Sequence, residues 1–431
     1  MNNNKIKSIE SALSKARKRL LPLIMIMFAL SMLDRSNIGF VKSYIEVDAG
    51  IGATAYAFGA GLFFIGYALF EVPSNLILHR VGARVWLSRI MITWGIVTIA
   101  MMFIRDSTSF YILRFLLGVT EAGFSPGVIL YLTYWFPSQY RSQAYGLYYF
   151  GVPIALMFGG PLTGLILEMP NLAGIYNWQW MFIIQGGATV LVGVFAFFWL
   201  VSKPEHAKWL SDEEKNALKI AFDRDLEAKV KREVPHLLKD TFTNCRVWQF
   251  AAIYFSIQVS VYGVLFYLPT RIAEILGVNV GLTVGLYTSI PWICTLIFLP
   301  LITKYADVRK SWRFSSIVML ILAVVGITGS TVSVNLVGFL VPITIAICGF
   351  IIVQPLFWNL PTQFLSGNAL AAGTAFIGAI GAVGGFVAPI LKTWAEGYWQ
   401  NDMAGLLALS LVGVIGVLLL VILPDPKMKS I

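Results

Sequence analysis

The stretch LLPLIMIMFALSMLDRSNIGFV, Leu20 to Val41, decides the fold. A helix needs about 20 apolar residues, rising ~1.5 Å each, to cross the hydrocarbon of a bilayer. Apolar residues here face every side, unlike the one-sided stripe of a soluble helix or the strict alternation of a barrel strand. Two charges, Asp34 and Arg35, nevertheless interrupt the run. Such a charge costs roughly 2.5–3.5 kcal/mol at the bilayer centre, so it is rare and usually functional. A second run, Phe110 to Tyr131, repeats the pattern with Arg114 and Glu121. Arginines and acids together inside lipid point to a site that holds an anion beside a proton pathway, as a transporter requires.

Working outward, the chain of 431 residues is 58% hydrophobic and only 13% charged. A soluble domain carries about 25% charged residues, so a water-facing surface is excluded. Twelve runs of spanning length recur, at 20–41, 54–78, 85–104, 109–131, 143–167, 181–201, 247–269, 282–303, 314–332, 336–358, 367–390 and 404–424. An all-α membrane protein of twelve transmembrane helices is the expected fold. The net charge of +10 reflects placement and not affinity for nucleic acid. Apart from Arg35, Arg114 and the four outer-side residues Lys42, Arg105, Arg271 and Lys392, every Lys and Arg falls at the termini or in even-numbered loops. The positive-inside rule then puts both termini in the cytoplasm of a multi-pass plasma (inner) membrane protein. The basic amino terminus resembles a signal peptide, but the run passes through Asp34 without an Ala-x-Ala cleavage pattern, so it reads as a retained first span. Cys245, Cys294 and Cys348 form no disulfide framework, and His79, His206 and His236 have no ligand spacing. No metal and no cofactor are expected.

The one long polar stretch, Lys203 to Arg246, divides the spans six and six. The expected organisation is an amino-terminal half at 1–202, a linker at 203–246 and a carboxyl-terminal half at 247–431. Within the linker, Ser211-Asp212-Glu213-Glu214 reads as a capping box. Leu218, Phe222, Leu226 and Val230 follow at four-residue spacing, the stripe of an amphipathic helix lying across the bundle or the membrane surface. The turn Asn75 to Arg84 after span two and the turn Thr303 to Lys310 after span eight are both short and basic. Paired halves around a midplane site are the plan of alternating-access carriers.

Over essentially its whole length the chain resembles the major facilitator superfamily. That superfamily's loop motif, Gly-x-x-x-Asp-Arg-x-Gly-Arg-Lys, is kept here at Arg80, Gly82 and Arg84, with Asn75, His79 and Ala83 as departures; the second copy keeps Asp307. Leu33-Asp34-Arg35-Ser36-Asn37-Ile38-Gly39-Phe40 and the stretch from Arg114 through Glu121 to Gly127 are similar to the first- and fourth-helix signatures of its anion:cation symporter family. Gln354-Pro355-Leu356-Phe357-Trp358 through Pro361 to Gly367 resembles the bacterial branch that carries sugar acids, tartrate and aromatic acids, rhamnonate-type carriers in particular. The branch's sugar-acid carriers often have Asn in span eleven where this chain has Gly378. The resemblance implies Asp34 and Glu121 as proton carriers and Arg35 as a substrate ligand.

Depth along the helices gives the same residues roles. Measured from the expected span ends, Asp34 lies ~10 Å, Arg114 ~8 Å and Glu121 ~18 Å below the outer edge. Arg114 is thereby expected to reach Asp34 or Arg35, with Glu121 deeper on the same helix face. Arginine stays charged and offers a planar fork matched to a carboxylate, which suits Arg35, and Arg114 beside it, to substrate binding. Burial penalises the charged form of an acid and a nearby arginine favours it, so an anion competing for the arginine lets the acid take a proton. Tyr67, Gln258, Tyr262, Gln354 and Trp358 are further substrate-binding candidates at similar depth. Glu71 is expected to pair with the basic loop that follows it. The glycines of spans five and eleven read as close helix packing.

The sequence thus predicts a monomeric secondary transporter that imports a small organic acid anion with protons. An anion exchanger or an uncoupled facilitator is the alternative. An enzyme is not expected, because no nucleophile–base pair or metal set appears in the sequence.

Overall fold

The computed structural model describes residues 3–230, 244–333, 335–364 and 367–423. Its regular elements are helices, and the one β pairing among the described residues is an isolated bridge between Leu172 and Ile175. Twelve helical segments are long and apolar enough to cross a membrane: Lys7–Ala49, Ala53–Leu78, Ala83–Phe103, Ser107–Trp135, Ala144–Leu167, Asn177–Trp199, Cys245–Leu276, Leu282–Arg309, Trp312–Thr331, Leu336–Trp358, Gly373–Trp399 and Asp402–Ile422. They are numbered here as spans one to twelve. Short turns are closed by side chains that satisfy the first free N–H groups of the next helix. Asp106 accepts from the Ser109 N–H at 2.7 Å, and Asn335 accepts from the Gly338 N–H at 2.7 Å.

Three expectations need correction. Span one is part of a helix running Asn3–Ala49, far longer than its apolar core. The early turns survive outside the apolar run because Ile9, Ala12, Leu13 and Ala16 bury one face while Lys15 and Lys18 stay exposed on the other. Span four is broken into Ser107–Glu121 and Phe124–Trp135. Gly123 sits there at φ 83°, a left-handed turn that glycine adopts without strain. Span eleven reaches Trp399, so Lys392 lies inside a helix and not in an outer loop. Lys392 is tolerated there, 8% exposed, because Glu396 one turn away pairs with it at 2.5 Å.

The two six-helix bundles meet at or beyond mid-depth, towards the end away from the basic loops. Tyr44 donates to the Val280 carbonyl at 2.7 Å, and the Leu282 N–H donates to Glu168 at 2.8 Å. Ser289 donates to the Met157 carbonyl at 2.8 Å. Spans five and eight approach backbone to backbone, Gly160 against Gly285 and Gly164 against Gly281. Spans two and eleven interlock through Gly61 against Phe386 and Gly385 against Phe64. Of the glycines expected as packing positions, Gly160, Gly164 and Gly385 pack across the two bundles, Gly151, Gly159, Gly381 and Gly384 pack on helices of their own bundle, and a methyl group at Gly378 would meet nothing within 4 Å.

The linker helix Asp212–Val230 begins with reciprocal capping: Glu214 N–H to Ser211 Oγ at 3.2 Å, and Ser211 N–H to Glu214 Oε2 at 2.9 Å. Glu214 also takes Ser11 Oγ at 2.7 Å and Lys15, which ties the linker to the extension of span one. Trp209 stacks on Trp135 at 5.3 Å. The side chains of His79, Leu226 and Val230, and residues 231–243 with His236, lie outside the described residues.

Candidate functional site

The longer span one resets the depths. Arg35 is fourteen residues from Ala49, and Glu121 fourteen from Ser107, so both lie ~21 Å along their helices. They meet there. Arg35 Nε donates to Glu121 Oε1 at 2.8 Å, and Nη2 lies 2.7 Å from the same oxygen. Ser31, one turn before Arg35 on the same face, donates to that oxygen at 2.7 Å. Glu121 is fully buried and Arg35 is 9% exposed. The break after Glu121 leaves helix-end backbone at membrane depth, which is tolerated where protein or a cavity surrounds it.

Arg35 also crosses to the other bundle. Its Nη1 donates to the Tyr262 hydroxyl at 3.3 Å. The guanidinium lies 4.9 Å from the centre of the Tyr67 ring and 5.4 Å from that of Phe63. Phe64 meets Tyr262 edge-on at 4.4 Å. A single arginine is therefore shared by an acid of one bundle and a phenol of the other, inside an aromatic wall.

Asp34 points elsewhere, as neighbours on a helix must. Its Oδ1 accepts from Thr98 Oγ1 at 2.9 Å and from Asn37 Nδ2 at 3.3 Å. Asn37 reaches on to Gln185 at 3.1 Å, and Gln185 to Thr163 at 2.9 Å. This polar chain links spans one, three, five and six. Asp34 Oδ2 has no hydrogen-bond partner among the described residues.

Arg114 departs from expectation. Among the described residues it forms no ion pair with Asp34 or any other acid, and no hydrogen bond joins it to Arg35. One nitrogen donates to the Ala60 carbonyl at 3.0 Å, and its guanidinium lies 5.1 Å from the Phe63 ring centre. Starting from Ser107, it sits about two turns short of Glu121, too near the helix start to meet Arg35. Its Nε and Nη1 are buried without partners among the described residues.

Three neutral candidates stand apart from Arg35. Gln354 turns back to its own helix, donating to the Phe350 carbonyl at 3.3 Å. Trp358 packs on Tyr254 at 4.8 Å. Gln258 lies against Gly381 and Gly384 of span eleven. Glu71 makes no ion pair with the basic loop among the described residues; its carbonyl accepts from Asn75 at 2.9 Å. The residues that sequence reasoning missed are Ser31, Thr98, Thr163 and Gln185. Each is a polar side chain at mid-depth in an otherwise apolar run, which is the signal that could have found them.

Comparison with known proteins agrees with this architecture. The profile of the Major Facilitator Superfamily matches residues 24–389. The chain belongs to that superfamily and is a multi-pass membrane transporter, not an enzyme. It is 44% identical over 412 residues to the inner membrane transport protein RhmT of Escherichia coli (strain K12), covering 96% of this chain and 95% of that one. It is 39% identical over 394 residues to a protein of Agrobacterium vitis named for tartrate transport, covering 91% and 90%. Among solved structures, the inward open conformation of the xylose transporter XylE from E. coli superposes with a TM-score of 0.74 at 15% identity, covering 95% of this chain and 97% of that one. That likeness concerns the fold.

Proposed function

We propose that this protein imports a small organic acid anion with protons by alternating access. The observation that carries the reading is the position of Arg35, bonded at once to Glu121 and to Tyr262 of the opposite bundle. An entering carboxylate competes with Glu121 for the guanidinium fork. Glu121, deprived of its counter-charge in a buried site, then takes a proton. Asp34, on its own polar chain, serves as a second proton carrier. Arg114, with unpaired donors, is a second anion ligand. Tyr67 and Tyr262 supply faces and hydroxyls for a hydroxylated or aromatic acid. Gln258, Gln354 and Trp358 complete the site from the second bundle once the helices rock. The relatives named for tartrate transport support an organic acid as cargo.

The moving bodies are residues 1–202 and 247–431, joined by the linker 203–246, in a monomer. The positive-inside rule puts both termini in the cytoplasm of an inner membrane. The contacts between bundles then close the outer side and leave the site facing inward.

The test is equilibrium binding of sugar acids, tartrate and aromatic carboxylates to the wild type, Arg35→Lys and Arg35→Gln. The proposal expects one acid class to bind, Lys to weaken it and Gln to abolish it. Binding unchanged in Arg35→Gln would refute the assignment. Transport without proton movement would leave the exchanger or the facilitator.

A further inference from the structure

We infer that the surface around Arg84 and Arg89, where spans three and six begin and end at the basic side of the molecule, binds the phosphate of an anionic membrane lipid. Arg89 is one to two turns inside span three, yet it is exposed on the outside of the bundle. Its neighbours on that outer surface are Val85, 41% exposed, and Ile96, 54% exposed. That is a lipid-facing surface. Among the described residues neither Arg84 nor Arg89 forms an ion pair with any carboxylate.

The arginines are held by aromatic rings instead. Arg89 lies 4.3 Å from the ring centre of Trp86, whose Nε1 donates to Ser74 at 3.0 Å and so fixes the ring. Arg84 lies 4.9 Å from the Phe197 ring centre and donates to the Phe197 carbonyl at 2.5 Å. Phe198 beside it is 74% exposed. A guanidinium facing hydrocarbon without a counter-charge is costly, and long basic side chains near a span end reach for the headgroups. Arg84 and Arg89 flank Val85 on one helix, each with side-chain donors that no described residue takes, so each can donate to a lipid phosphate, and the exposed Val85 and Phe198 offer the acyl chains an apolar wall. Charge complementarity selects an anionic over a zwitterionic lipid. Both arginines sit near the start of span three at the basic side, away from Arg35, so they concern lipid dependence and not substrate recognition.

The experiment is native mass spectrometry of the full-length protein in mild detergent, titrated with phosphatidylglycerol, phosphatidylcholine or inorganic phosphate. The variants are Arg89→Gln, Arg84→Gln with Arg89→Gln, and Arg105→Gln at the opposite end as a control. Each arginine near a membrane surface contributes about fivefold in affinity, the factor that ~1 kcal/mol represents. The expected result is retention of phosphatidylglycerol by the wild type and the control, about fivefold weaker retention by the single variant, and weaker still by the double. Among the described residues the Arg89 side chain makes only a ring contact, so the single variant keeps the test valid if the double fails to fold. Equal retention by Arg89→Gln and the wild type would overturn the inference. Displacement of the lipid by inorganic phosphate, or equal retention of phosphatidylcholine, would overturn it as well.

Discussion

Replacing Glu121 with glutamine keeps the shape of the side chain and removes its charge. In the wild type Glu121 Oε1 receives two contacts from Arg35, at 2.8 and 2.7 Å, and one from Ser31 at 2.7 Å. Both members of the ion pair are buried, so removing one leaves an uncompensated guanidinium, a loss of about 3–5 kcal/mol. The glutamine oxygen still accepts a hydrogen bond, which places the expected cost at the lower end, about 3 kcal/mol. An acid substrate restores the missing charge. It no longer has to displace Glu121, and its affinity for the variant rises by at least about tenfold, the factor for 1.4 kcal/mol. Titration calorimetry and thermal unfolding with and without substrate read both effects. A Glu121→Gln protein that is as stable as the wild type and binds acids more weakly would refute the competition for Arg35.

Other outcomes follow from the same contacts. Tyr262→Phe removes one 3.3 Å hydrogen bond to Arg35, so substrate affinity falls by roughly 0.5–1.5 kcal/mol while thermal stability stays near wild type; an unchanged affinity would exclude Tyr262 from the site. Gly285→Ala drives a methyl group into the Gly160 backbone, so spans five and eight part at the end away from the basic loops. Labelling of a Thr270→Cys reporter, with the natural cysteines removed, is expected to quicken severalfold there, and an unchanged rate would contradict the packing. At Glu214, burial works to raise the carboxyl, but the hydrogen bonds from Lys15, Ser11 and the Ser211 N–H outweigh it and hold the group below its ordinary value. A depressed carboxyl stabilises docking above the unfolded glutamate range, near ~4.3, and that stability is lost as pH falls through the folded value. Hydrogen-exchange protection over 204–222, taken relative to the intrinsic rate at each pH, is therefore high at neutral pH, lower in acid, and lower at neutral pH in Glu214→Gln; equal protection in all three would contradict the docking.

The sequence makes twelve spans legible because each apolar run is long and apolar on every side. It also makes Asp34, Arg35, Arg114 and Glu121 legible, since charge in lipid is rare enough to notice. Their partners are not readable in the same way. The depth of Arg35 depends on where span one ends, and the helix continues to Ala49 through polar residues that hydropathy alone assigns to a loop. With the end misplaced, Arg114 looked like the neighbour of Arg35, where the helix rise from Ala49 selects Glu121. Lys392 was misread for a related reason: hydropathy sees a lone cation, and only the helix brings Glu396 to it. The break after Glu121 rests on one backbone angle at Gly123, which a glycine permits but does not announce.

The most direct measurement is proton uptake by proteoliposomes given an inward gradient of sugar acids, tartrate or aromatic carboxylates, with the wild type, Asp34→Asn and Glu121→Gln compared side by side. Proton-coupled import predicts that one acid class drives proton entry in the wild type and that either substitution abolishes it while binding persists. Acid entry without proton movement, equal in all three proteins, would contradict the coupling and assign the buried acids to holding the helices together.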